Sequence, residues 1–168
     1  RLFRHTVSDH AARAVADVLA SDCIGEGPQV AAFERELSLY LGTDVACVSS
    51  GTAALWLAYV LAGIGPGSVV VTTPLGCLAS TETLLHLGAR IRWADVDPAT
   101  GMLDPESVKR TVRAHGAKAI VGVDWGGSIG PWAAVREDNP TVAIIEDAAH
   151  AFGAHHALDV SVVDAVAY

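Results

Sequence analysis

Residues 142–156, VAIIEDAAHAFGAHH, run from an apolar stretch straight into Glu146, Asp147 and His150, with no turn residue between. A carboxylate at the end of a buried segment needs a partner, because desolvating it alone costs several kcal/mol. No Lys or Arg lies close in sequence. The partner of Asp147 is therefore expected from another part of the fold or from a bound cofactor. Taken by itself, Asp147 reads more simply as the N-cap of a short helix over AAHAFG.

A second candidate is SSGTAAL, residues 49–55. A strand that hands Ser49 to Thr52 to the first turn of a helix leaves unpaired N–H groups at the positive end of the helix dipole. That arrangement cradles a phosphate, with Gly51 allowing close approach and Thr52 adding a hydroxyl. An ordinary serine N-cap explains the same residues. Together, a phosphate cradle around Gly51, Thr52 and Ala53 and an acid at Asp147 fit a cofactor with a phosphate at one end and a basic ring nitrogen at the other. Pyridoxal phosphate has that shape. A carboxylate beside its pyridine nitrogen favours the protonated ring, which serves as an electron sink.

Other patterns carry less. GGSIG, residues 126–130, matches the G-x-S-x-G elbow of α/β-hydrolases and makes Ser128 a candidate nucleophile. Asp147 and His150 share one loop, too close for the separate acid and base of a triad. His150, His155 and His156 lack the spacing of a metal site, and no metal is expected. GIGPG, residues 63–67, follows a helix and precedes a strand, the reverse of a dinucleotide fingerprint.

The elements that must position these residues alternate. Helices are expected over 8–20 and 28–41, the second with Phe33, Leu37, Tyr40 and Leu41 on one apolar face and Gly42 as its stop. Strands are expected at 45–49, 68–74, 90–96, 118–125, 142–146 and 162–168. Helices at 51–63, 78–88, 104–116 and 131–138 fall between them, with Val108 and Val112 facing inward. This order predicts an α/β domain, three layers deep, with a mostly parallel central sheet. Ligands of such sheets bind at the carboxyl ends of the strands.

Bulk properties narrow the partners. The chain has 168 residues, net charge −8 and only 11 Lys plus Arg, which argues against nucleic acid and anionic membrane. The uncharged run from Val45 to Thr81 is broken by Pro66 between two glycines, so no spanning helix is expected. Three separated cysteines and an N-terminus without an apolar run suit a soluble, cytoplasmic protein with reduced thiols.

Four segments, SGTAAL, TTPLGCLAST, LGARIRWADVDPATGMLDPESV and IIEDAAHAFGA, occur in the order and spacing of the DegT/DnrJ/StrS sugar aminotransferases, which the chain resembles from residue 25 to Tyr168. The resemblance implies the aspartate aminotransferase fold, with residues 1–168 covering an N-terminal segment and most of the large domain but not the small C-terminal domain. It implies pyridoxal phosphate held by the backbone around Gly51, Thr52 and Ala53, with Asp147 at the pyridine nitrogen and His150 at the phenolic oxygen. PLGCLAST would lie over the cofactor face, with Leu78 where the family often has an aromatic residue. The implied reaction moves an amino group from glutamate or glutamine to a keto sugar, usually nucleotide-linked, in a homodimer. A dehydratase on the same fold, with His replacing the lysine, is the alternative. The resemblance implies the family's Schiff-base lysine a few residues after a segment like DAVAY, and so beyond Tyr168; neither Lys109 nor Lys118 falls at the carboxyl end of a strand to replace it.

Overall fold

The computed structural model describes residues 7–154 and 162–168. Two helices, α1 (Asp9–Leu19) and α2 (Pro28–Leu41), precede the alternating region. There α3 (Gly51–Leu61), β1 (Val69–Thr72), α4 (Leu78–His86), β2 (Arg90–Trp93), α5 (Pro105–His115) and β3 (Ala119–Val123) follow in turn. A 3₁₀ turn at Trp125–Gly127, then α6 (Trp132–Asp138), β4 (Ala143–Asp147) and β5 (Ala165–Ala167), complete the order. All four strand pairings are parallel and the sheet runs β2-β1-β3-β4-β5.

Strand periodicity explains the two-sided burial. Val71, Ile120 and Ile144 pack with Val108 and Val112 of α5 and Trp132 and Val135 of α6. Their neighbours Val70, Val121 and Ile145 face the other way, onto Leu55 and Tyr59 of α3 and Leu84 of α4. Consecutive strand residues point to opposite faces, so each apolar run serves both layers. Local signals set the helix ends. Ser8, Ser50 and Asp104 cap α1, α3 and α5, while left-handed glycines at 42 and 116 stop α2 and α5.

One expected strand is corrected. Residues 45–49 form no strand. Val45 N–H donates to Ser38 Oγ at 3.1 Å and Cys47 N–H to Glu34 Oε1 at 2.8 Å, so α2 side chains take amides that a ladder would have used. A groove of about 890 Å³ separates this segment from β5, and no strand among the described residues lies in it. Nor is the apolar face of α2 covered: Leu41 is buried, but Phe33 and Tyr40 are 52% and 44% exposed. Phe33, Leu37 and Leu41 border the same groove. Tyr40 on that face has its ring 6.3 Å from that of Phe152.

Candidate active site

The strand order reverses direction at β1, from which the chain crosses to β2 on one side and later to β3 on the other. Sheets of this kind bind ligands beyond the carboxyl ends at such a switch point. A depression of about 240 Å³ lies there, bordered by Thr73 after β1, Val123 of β3, Trp93 of β2 and Cys77, Leu78 and Ser80 around the start of α4.

Asp147 ends β4 beside this depression, in register with Val123 and with Ala167 of β5. It is 4% exposed. Its Oδ2 accepts a hydrogen bond from Ser80 Oγ at 2.5 Å, and its Oδ1 accepts from Ala149 N–H at 3.3 Å. Among the described residues no ion pair reaches it, so its partners are a hydroxyl and an amide, not the cation that burial alone would suggest. The Ala149 contact is the turn that the N-cap reading anticipated, but residues 148–154 form turns and no helix. Ser80 is itself pinned, since Tyr59 of α3 donates its hydroxyl to the Ser80 carbonyl at 2.9 Å. Burial above all, and then the charge of Asp147, raise the Tyr59 phenol well above its ordinary range, so it remains a donor.

Sequence reading missed Ser80 and Tyr59. The available signal was Ser80, Thr83 and Leu84 at i, i+3 and i+4, the buried face of α4. A serine there is turned inward and needs a partner.

The helix-start reading of residues 49–55 is only partly a cradle. Ser50 caps α3, its Oγ accepting from Ala53 N–H at 3.1 Å, so the Ala53 amide is already engaged. The Gly51 and Thr52 amides and the Thr52 hydroxyl remain at an exposed helix start. A side chain built on Gly51 would meet only the Tyr168 carbonyl, at 3.8 Å, leaving open space over the turn. Tyr168 follows Ala167, the register partner of Asp147, so this helix start and the acid share the carboxyl edge of the β4–β5 pair.

His150 is exposed on the loop after β4. Its Nδ1 accepts from Gly126 N–H at 3.3 Å, which leaves the ring proton on Nε2, and its ring lies 5.5 Å from that of Trp125. Leu78, first residue of α4, is 67% exposed at the rim of the depression. His155 and His156 lie outside the described residues, among which no cluster of three or more His, Cys, Asp or Glu side chains is gathered for a metal. Gly126 and Gly127 lie in a 3₁₀ turn with positive φ and Ser128 follows it in extended backbone, so GGSIG is a glycine-rich turn. Lys109 is paired with Asp138 at 2.6 Å, and Lys118, at the amino end of β3, donates to the Gly63 carbonyl. No described helix is long and apolar enough to cross a membrane.

A parallel sheet with helices on both faces is the α/β fold of pyridoxal-phosphate transferases. Residues 6–159 match the model of the DegT/DnrJ/EryC1/StrS aminotransferase family. The chain belongs to that family. It is 38% identical over 140 residues to the spore coat polysaccharide biosynthesis protein SpsC of Bacillus subtilis, covering 82% of this chain and 36% of that protein. It is 36% identical over 141 residues to dTDP-4-dehydro-2,3,6-trideoxy-D-glucose 4-aminotransferase of Saccharopolyspora spinosa, again 36% of the relative's length. The solved sugar aminotransferase CalS13 of Micromonospora echinospora superposes with a TM-score of 0.84 at 32% identity, over 91% of this chain and 44% of that one. The pyridoxal-phosphate form of sugar aminotransferase Spr1654 from Streptococcus pneumoniae gives 0.83 at 26% identity, over 88% and 42%. The chain thus spans well under half the length of these relatives.

Proposed function

We propose that the chain is the N-terminal part of a pyridoxal-phosphate-dependent aminotransferase that moves an amino group from glutamate or glutamine to a nucleotide-linked keto sugar. The names of the relatives support the reaction and the sugar class. The buried Asp147, held by neutral donors at the carboxyl edge beside an open depression, carries the reading.

Pyridoxal phosphate, when bound, supplies the electron sink that stabilises a carbanion next to the transferred nitrogen. The chain's own residues bind and orient it. Asp147 offers an anionic acceptor for the ring nitrogen, and Ser80 and Tyr59 keep that carboxylate in place. The Gly51 and Thr52 amides and the Thr52 hydroxyl hold the phosphate at the positive end of α3. Ala53 contributes through the Ser50 cap that shapes this turn. His150 would offer its Nε2 proton to the phenolic oxygen, and Leu78, exposed at the rim of the depression, would lie over the ring. The anchoring amine is assigned to residues outside 1–168, since Lys109 and Lys118 are engaged away from the carboxyl edge. The small domain, the partner subunit of a homodimer and a cytoplasmic setting belong to the same reading.

The experiment is a titration of the protein with pyridoxal phosphate, followed by its absorbance, for the wild type and Asp147→Asn. Losing one charge-assisted hydrogen bond of about 1.5–3 kcal/mol weakens binding roughly 10- to 150-fold. Equal affinity in the two proteins would refute this placement of the ring.

A further inference from the structure

The loop between β3 and α6, residues 124–130, runs alongside the segment that carries Asp147 and His150. Asp124 N–H donates to the Asp147 carbonyl at 3.0 Å, and Gly126 N–H donates to His150 Nδ1 at 3.3 Å. Gly127 passes against the His150 backbone: at its φ of +85°, a side-chain carbon would lie 3.0 Å from the His150 carbonyl oxygen. The Trp125 ring stands 5.5 Å from the imidazole. Four consecutive residues of one loop thus meet the 147–150 segment.

That loop has little order of its own, since Gly126, Gly127 and Gly130 restrict the backbone least. Asp124 closes it. Its Oδ1 accepts from Gly130 N–H at 2.9 Å, tying the two ends of the loop together, and from Trp132 Nε1–H at 3.2 Å. Its carbonyl accepts from Gly127 N–H at 3.2 Å. Trp132 is buried in the layer of α5 and α6. Its indole has room because residues 122 and 130 are glycines: a side-chain carbon at either would come within 2.2 Å or 2.7 Å of the ring. Register pairs Val123 with Asp147 and Gly122 with Glu146, so strand alternation puts the buried Glu146 in that same layer, opposite to Asp147. Asp124, itself fully buried, is where the loop is fixed to the core.

We propose that Asp124 is a positioning residue: by fixing the 124–130 loop to Gly130 and Trp132, it holds Gly126 N–H against His150 Nδ1 and selects the ring form whose proton is on Nε2. The consequence for catalysis rests on the role proposed for His150; the positioning itself does not. His150 lies exposed among turns, and an unconstrained imidazole exchanges between its two neutral forms. An amide donor fixed beside Nδ1 makes that atom the acceptor and leaves Nε2 as the donor. The donor has to be fixed to do so. At 3.3 Å the contact is already long, and a loop released at Gly130 would carry the Gly126 amide out of range. Asp124 touches the ring nowhere in this chain of contacts; it acts through the backbone that it holds.

The test uses the protein without added cofactor, so its outcome is separate from that of the Asp147→Asn titration. Ring ¹⁵N spectra are recorded above the ordinary histidine range, with the His150 signals assigned by their loss in His150→Gln. The wild type should show a protonated Nε2 and an unprotonated Nδ1. Asp124→Ala, which removes the acceptor, should move the two nitrogen signals towards each other, as in a ring exchanging between forms. Its Gly126 amide should exchange with solvent at least about tenfold faster than in the wild type. Asp124→Asn, which keeps an acceptor oxygen, should hold the wild-type ring pattern. Should Asp124→Ala fail to fold, Trp132→Phe, which removes the indole donor and keeps a ring, should shift the same signals in the same direction by a smaller amount. Three results overturn the proposal: a wild-type ring with its proton on Nδ1, an Asp124→Asn ring displaced as far as that of Asp124→Ala, or a folded Asp124→Ala (in its absence, Trp132→Phe) that melts lower while its His150 signals stay in place.

Discussion

Replacing Ser80 with Ala isolates the contact on which Asp147 depends. The substitution removes one oxygen, which donates at 2.5 Å to a buried carboxylate, and leaves the backbone carbonyl that Tyr59 holds. A hydrogen bond to a charged group is worth about 1.5–3 kcal/mol, and burial at 1% and 4% exposure gives little access to a replacement water. Asp147 would retain only the longer Ala149 contact at 3.3 Å. The expected loss of stability at pH 7 is therefore about 1.5–3 kcal/mol, roughly 3–12 °C in melting temperature for a domain of this size. Affinity for pyridoxal phosphate should fall with it, since the acceptor is no longer held, whereas Ser80→Thr, which keeps a hydroxyl, should recover part of both. Urea denaturation and cofactor titration on the three proteins measure these effects. A Ser80→Ala protein within about 0.5 kcal/mol of wild type, with unchanged affinity, would refute the argument that Ser80 secures the acid.

Gly122→Ala should destabilise by about 1–3 kcal/mol or more, because its methyl would meet the Trp132 ring at 2.2 Å and Leu103 at 2.7 Å; a lowered thermal midpoint checks it. Arg136→Ala removes hydrogen bonds to the Val162 and Val142 carbonyls at 3.0 and 2.9 Å and an ion pair to Asp164 at 2.6 Å. Amide exchange in Ala165–Ala167 should then speed up at least about tenfold, and Arg136→Lys, lacking the planar fork, should recover little of the protection.

The alternating region was readable because its apolar runs and helix punctuation are local properties. Residues 45–49 were not, because a strand exists only with a ladder partner, and β-rich composition carries no information about one. The acid at Asp147 announced itself through the apolar run before it; its partners did not. Ser80 and Tyr59 come from two helices that meet only in the folded molecule, and the hydroxyl that matters looks in sequence like any other serine on a helix. The glycine pattern at 126–130 suggested a nucleophile elbow, yet its glycines serve a turn and the space beside an indole.

Glu146 and Asp147 are consecutive, and the sheet sends them into different compartments of the molecule. Their division of labour is thus written in parity, not in chemistry. A slip of β4 by one residue against β3 would turn each acid to the face that the other now occupies, with neither taking the other's place along the strand. The pairing of β4 with β3, from Ala119 with Ala143 to Val123 with Asp147, is therefore what keeps Asp147 on the side of Ser80.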